Sequence, residues 1–302
     1  MFKPQGPSGF GYGTTAAQVT SGLDLTGQTI LLTGCNSGIG FETLTVLTQR
    51  GAHVIAAART VDKAQLAGSR AGGQFTPVAC ELSEPASVLA CVDAVRALGR
   101  PLDSIICNAG IMALPKLHQK HGYELQFFTN HIGHFLLVTS LLDTLTNTGR
   151  VVVVSSNAHH RAPSEGIQFD NLSGDREYTP FGNYGQAKLA NLLFANQLAT
   201  RLEGTGKTAN SLHPGVIKTS LTRSMNPVAG IAMSIASPLV LKSIAEGAAT
   251  QCYAAVHPLM AGISGKYLSD CNESRPGRYG RDPAMAKKLW EVSEQIVAEV
   301  TP

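Results

Sequence analysis

Short, near-continuous apolar runs alternate with longer segments of amphipathic spacing along most of the chain. Residues 29–33, 53–58, 75–82, 103–107, 151–155 and 208–212 are rich in Val, Ile, Leu, Ala and Thr, and small or polar residues follow each run. Runs that are apolar on both faces predict buried parallel strands, and 265–268 adds a further short one. Between them the apolar positions take helical spacing, as with Ile39, Leu44 and Leu47, or Val88, Leu89, Val92, Val95 and Leu98. That period predicts helices from Ile39 to Gly51 and onward from Pro85, the latter capped by Ser83. Others are expected near 61–69, 123–145, 183–203 and 245–256, and a final one opens at Pro283. Regular alternation of strand and helix predicts an α/β fold: a doubly wound, mostly parallel sheet of about seven strands with helices on both faces. Residues 1–22, rich in Gly, Pro and Ser at their start, are expected as a mobile N-terminal extension with a short helix capped by Thr14 or Thr15. The remainder, 23–302, has no internal repeat and no change of composition, so one domain is expected.

The first strand runs into Gly34, Gly38 and Gly40, with Asn36 and Ser37 between them, and then into a helix. Small residues let a backbone approach a pyrophosphate, and a helix N-terminus offers free N–H groups and a positive dipole end. The spacing is G-x3-G-x-G rather than G-x-G-x-x-G. The second strand ends at Ala58-Arg59, where an acidic residue would bond the adenosine ribose. A guanidinium there suits a phosphate monoester instead, which favours NADP(H) over NAD(H).

Tyr184 and Lys188 stand four apart on a predicted helix and so share a face. A nearby ammonium favours the phenolate and lowers a tyrosine pKa, which suits proton transfer near neutrality. Ser155 and Ser156 close the fifth strand, where a hydroxyl can meet a carbonyl oxygen. Asn130 lies inside a predicted helix, a position where Asn is disfavoured unless its amide has work to do.

Composition narrows the field. A chain of 302 residues that is 43% hydrophobic can bury one large core. The net charge of +3 comes from scattered Lys and Arg, which argues against a nucleic-acid or anionic-membrane partner. Six cysteines (35, 80, 91, 107, 252 and 271) form no C-x-x-C pair, and they read as small core residues of a reducing, cytoplasmic protein. The N-terminus carries no apolar leader, and 228–241 is too short and too interrupted to span a bilayer. His159 and His160 lack a companion ligand, so no metal is expected. His213 is expected to be structural, and Trp290 to anchor the last helix.

Six motifs in order resemble the short-chain dehydrogenase/reductase superfamily: TGCNSGIG (33–40), CNAG (107–110), NHIGHFLL (130–137), VVVVSS (151–156), YGQAK (184–188) and HPGVIKT (213–219). SSNAHH, KLANLLF and the late EGAATQCYAA and GKYLSDC are similar to its retinol-dehydrogenase-like branch. The resemblance implies a single-domain Rossmann fold and a tetrad of Asn130, Ser156, Tyr184 and Lys188. Tyr184 would exchange the alcohol proton, Ser156 hold the substrate oxygen, Lys188 bind the nicotinamide ribose, and Asn130 hold a water leading to solvent. Gly34, Ser37, Gly38, Ile39 and Gly40 would cradle pyrophosphate and ribose, and Asn36 and Arg59 would meet the 2′-phosphate. Asn108, Ala109 and Gly110 would flank the adenosine; Pro214, Gly215, Ile217 and Thr219 would hold the carboxamide. Glu81-Leu82 stands where the family usually has Asp-Val or Asp-Leu, which would shift the adenine contact; Cys35 stands where Ala is common.

Residues 221–241 are apolar and are expected as a substrate lid, with a dimer contact or a membrane-surface patch as alternatives. A hydrophobic alcohol, ketone or aldehyde would suit such a pocket; retinoid, steroid, aryl ketone and fatty aldehyde all remain open, as does homo-oligomerisation. Two competing functions are a cofactor-binding regulatory or scaffold protein, and an epimerase or dehydratase acting on nucleotide sugars.

Overall fold

The computed structural model describes residues 5–217 and 241–301. Strands β1 (Thr29–Thr33), β2 (His53–Ala58), β3 (Phe75–Ala79), β4 (Leu102–Cys107), β7 (Leu145–Val154), β8 (Thr208–His213), β9 (Tyr267–Ser269) and β10 (Asn272–Glu273) form one sheet in the order β10-β9-β8-β7-β4-β1-β2-β3. All neighbours are parallel except β9 and β10. The sheet therefore has eight strands among the described residues. The eighth, two residues long, is too short to show any periodicity. A separate hairpin pairs β5 (Gln119–Lys120) with β6 (Tyr123–Glu124).

Each central strand is buried on both faces, and its alternate residues feed two different cores. Ile30, Leu32, Ile106, Val152 and Val154 pack with α2 (Gly38–Gln49), α3 (Val61–Ala71) and α8 (Ile244–Val256). Leu31, Ile105, Cys107, Val151 and Val153 pack with α4 (Pro85–Ala97), α6 (Gly133–Thr139) and α7 (Pro180–Arg201). Trp290, on α9 (Pro283–Val300), joins the second core edge-on to Phe135 at 4.9 Å and beside Phe194 at 5.8 Å. From β1 the order runs outward through β2 and β3 on one side and through β4, β7 and β8 on the other. The crevice beyond the C-terminal ends of β1 and β4 is thus the switch point where such sheets bind ligands.

The short helix expected near the start forms as α1 (Ala16–Val19), in a capping box from Thr15; it buries Ala16 and Val19 in the first core, and Phe10 meets Tyr253 and His257 edge-on, so residues 5–22 pack on the domain. Two expected elements differ. The single helix expected over 123–145 is divided. Glu124 accepts the N–H groups of Gln126 and Phe127 to start α5 (Leu125–Phe127). A π-helical turn at Phe128–Ile132 precedes α6, and β7 already begins at Leu145. Ser83 does not cap α4; its hydroxyl bonds the Glu81 carboxylate at 3.1 Å, and Glu84 occupies the cap position before Pro85.

Candidate active site

The glycine turn is built for close approach. Gly34 has φ +71 and Gly38 φ +54, in the left-handed region that favours glycine. A Cβ on Gly34 would meet Ala109 Cα at 2.9 Å, and one on Gly40 would collide with the Gly34 carbonyl. Ser37 occupies the cap position of α2 without a side-chain hydrogen bond, so the first N–H groups of this twelve-residue helix are not taken by a capping side chain. A cradle without side chains, facing an uncapped helix N-terminus, fits a pyrophosphate. Asn36, Ser37 and Arg59 are exposed around it, Arg59 at the end of β2. Ile39 lies at the margin of the core.

Across the switch point, Asn108 Nδ2 donates to Thr33 O at 2.9 Å, and the N–H groups of Asn108 and Ala109 donate to Thr33 Oγ1 at 3.0 and 3.1 Å. The same hydroxyl lies 2.9 Å from His134 Nε2, while His134 Nδ1 lies 2.9 Å from the Asn130 carbonyl. A carbonyl only accepts, so Nδ1 carries the proton and Nε2 accepts from Thr33. Burial pushes His134 down to about 4, which keeps the ring neutral and this pattern intact. His134 therefore ties the π turn to the glycine turn and to the loop after β4. Its signal in the sequence was a polar residue inside the apolar run that follows Asn130.

Asn130 is fully buried; its amide accepts from Ile111 N at 2.8 Å and donates to Ile111 O at 2.9 Å. Gly110 edges both Asn130 and Lys188: a Cβ there would sit 3.0 Å from Asn130 Oδ1 and 3.6 Å from Lys188 Nζ. The two serines at the end of β7 divide their tasks. Ser155 donates to Lys188 O at 2.6 Å and fastens α7 to the sheet, whereas Ser156 accepts from Ala158 N at 3.1 Å.

Tyr184 and Lys188 are buried on one face of α7, with Lys188 Nζ 5.8 Å from the Tyr184 ring centre and 2.9 Å from Val154 O. Burial pushes the Tyr184 phenol up to about 12, and a hydrogen bond with Ser156 works the other way. The same burial brings Lys188 down to about 8. The lowering of the phenol expected from Lys188 does not appear: desolvation dominates Tyr184, and the Lys188 amine donates to Val154 O instead.

Glu81 turns its carboxylate into its own loop, accepting from Ser83 N at 3.3 Å, and Leu82 is buried. His159 Nδ1 meets Ser156 O at 2.6 Å and its Nε2 accepts from Gly277 N at 2.9 Å, so the ring holds the loop after the serine and has no nitrogen left for substrate. His160 is exposed. His213, pushed down to about 4 by burial, accepts from Asn157 N at 3.3 Å. Pro214 is buried and Gly215 and Ile217 partly so, whereas Thr219 and the expected lid, except Leu241, lie outside the described residues.

A family model described as "short chain dehydrogenase" matches residues 28–229. The chain belongs to the short-chain dehydrogenase family. Within it, the chain is 40% identical over 309 residues to short-chain dehydrogenase TIC 32 B, chloroplastic, of Brassica napus, covering 97% of this chain and 95% of that one. It is 36% identical over 293 residues to human retinol dehydrogenase 14, covering 90% and 86%, in keeping with the retinol-dehydrogenase-like branch. Among solved structures, the angucycline C-6 ketoreductase LanV with bound NADP superposes with a TM-score of 0.66 at 25% identity, covering 82% of this chain and 95% of that one. The family makes this dehydrogenase fold an oxidoreductase scaffold for a nicotinamide coenzyme and a small-molecule substrate. No helix among the described residues is long and apolar enough to cross a membrane.

Proposed function

We propose that the protein is an NADP(H)-dependent alcohol dehydrogenase or carbonyl reductase acting on a lipophilic alcohol and its ketone or aldehyde. The observation that carries this reading is a buried phenol, one helical turn from Lys188 on the same helix face, at the sheet edge that also holds the glycine turn. Gly34, Ser37, Gly38, Ile39 and Gly40 would hold the pyrophosphate, Asn36 and Arg59 the 2′-phosphate, and Asn108, Ala109 and Gly110 the adenosine side. Glu81 and Leu82 would lie on the adenine side, with the Glu81 carboxylate held in its own loop by Ser83. Pro214, Gly215, Ile217 and Thr219 would hold the carboxamide. When bound, the nicotinamide supplies or accepts the hydride.

The rest is the work of this chain's own residues. In reduction Tyr184 donates its phenolic proton to the substrate oxygen, and Ser156 Oγ holds that oxygen in place. Lys188 binds the ribose, and Asn130 holds a water through which the tyrosine is reprotonated from solvent. A phenol pushed up by burial stays protonated at neutral pH, the form a proton donor needs; the net direction follows the coenzyme ratio, and NADP(H) preference favours reduction. Arg59 in place of an acid supports NADP(H), and LanV, solved with NADP, shares the fold. All six cysteines are buried and free, in keeping with a reducing compartment such as the cytoplasm.

A panel of lipophilic ketones and aldehydes, followed by NADPH absorbance, tests the reading: turnover of at least one class is expected, and none anywhere would contradict it. Arg59→Asp is expected to raise the KM for NADPH and to narrow or reverse the preference over NADH. An unchanged preference would refute the role of Arg59.

A further inference from the structure

The loop after β8 is held from below by a buried lysine, paired with a half-buried aspartate, that the reaction does not use. Ile217 and Lys242 form a parallel bridge, and Lys242 N donates to Val216 O at 2.8 Å, so the chain returns to the same place it left. The lysine stem then runs under Gly215. That glycine has φ +102, and a Cβ on it would lie 2.5 Å from Lys242 Cδ and 3.1 Å from Cε. The ammonium pairs with Asp270 in the β9–β10 turn, with the lysine side chain 1% exposed and the aspartate 34%. The Tyr12 ring centre lies 5.0 Å from Nζ. On its other side the loop leans on the glycine turn: Ile217 fills the space over Gly247, and Ile39 lies 3.4 Å from the same point.

A fully buried ammonium is costly, and a hydrophobic residue of the same length would pack under Gly215 as well. Placing a charge there makes the height and lateral position of the loop depend on a fixed partner on a different strand. We propose that Lys242, locked by Asp270, is the positioning residue for the loop of Pro214, Gly215 and Ile217, and sets the affinity for the nicotinamide end of the coenzyme. This rests on the coenzyme reading above. It adds that two residues remote from the reacting atoms control coenzyme binding through backbone placement.

Two variants test it. Asp270 sits at φ +54, a left-handed conformation that Asn tolerates, so Asp270→Asn removes the charge and keeps the turn. Lys242→Met removes the pair without leaving a buried charge unpaired, and keeps the stem under Gly215. Both are measured by NADPH fluorescence titration, steady-state kinetics and thermal melting. The expected result is a rise in NADPH Kd of about tenfold or more, with kcat at saturating NADPH changed by less than about threefold. A purely architectural ion pair would lower Tm and leave both constants unchanged below the melting range. NADPH Kd within about twofold of wild type in folded Lys242→Met overturns the proposal. A wild-type protein that binds no NADPH overturns the coenzyme reading itself, and this inference with it, and is told apart by needing no variant.

Discussion

At the scale of single residues, burial decides the protonation of the site. Tyr184 is pushed up to about 12 and Lys188 down to about 8, both by desolvation. The positions of these residues were legible in the sequence because the pair shares a helix face and stands in order with five other motifs. Their protonation was not, because spacing says nothing of how much water a side chain keeps. The consequence is a directional pH dependence. Reduction needs the neutral phenol and is expected to stay flat through neutral pH, until Lys188 loses its proton at about 8. Oxidation of the alcohol needs the phenolate, and its rate is expected to climb by up to about tenfold per pH unit while the phenol remains mostly protonated. Rates measured in both directions over the same buffers check this; an oxidation rate that is flat with pH would mean that Tyr184 is not the group that ionises.

At the scale of elements, the site depends on how the π turn is joined to the strands. His134 donates to the Asn130 carbonyl and accepts from Thr33, whose hydroxyl in turn accepts the N–H groups of Asn108 and Ala109. Replacing it with leucine removes the side-chain partner of the Asn130 carbonyl and leaves the Thr33 hydroxyl proton only the longer bond to Ile106 O at 3.4 Å, at a cost of about 1–3 kcal/mol. His134→Leu is therefore expected to lower Tm and to raise the KM for NADPH; a variant with both values at wild-type level would remove His134 from the account. The segment around it was the least legible part of the fold. Apolar spacing over 123–145 reads as one helix, and a π turn preserves that spacing while shifting the side chains. The hairpin before it is set by His121 and Gly122, with φ +52 and +82, a two-residue signal that helical periodicity masks.

At the scale of the whole molecule, a parallel sheet buried on both faces delivers every proposed catalytic and coenzyme residue that is described to its C-terminal edge or just beyond it. That much was legible, since alternating strands and helices admit few other arrangements. The packing of residues 5–22 was not. Their glycine, proline and serine content reads as loose chain, and only the folded partner surface, with Tyr253 and His257 beside Phe10, gives them a place. The ion pair of Lys242 with Asp270 escaped for a similar reason, since its two residues are far apart in sequence and meet only across β8. What unites these features is one claim: a protonated, buried phenol passes its proton to a substrate oxygen. The most direct test is Tyr184→Phe, assayed for NADPH-dependent reduction of the best lipophilic carbonyl and for NADPH binding by fluorescence. The account predicts a loss of kcat of about a hundredfold or more with NADPH Kd nearly unchanged. A variant that keeps wild-type turnover would contradict it.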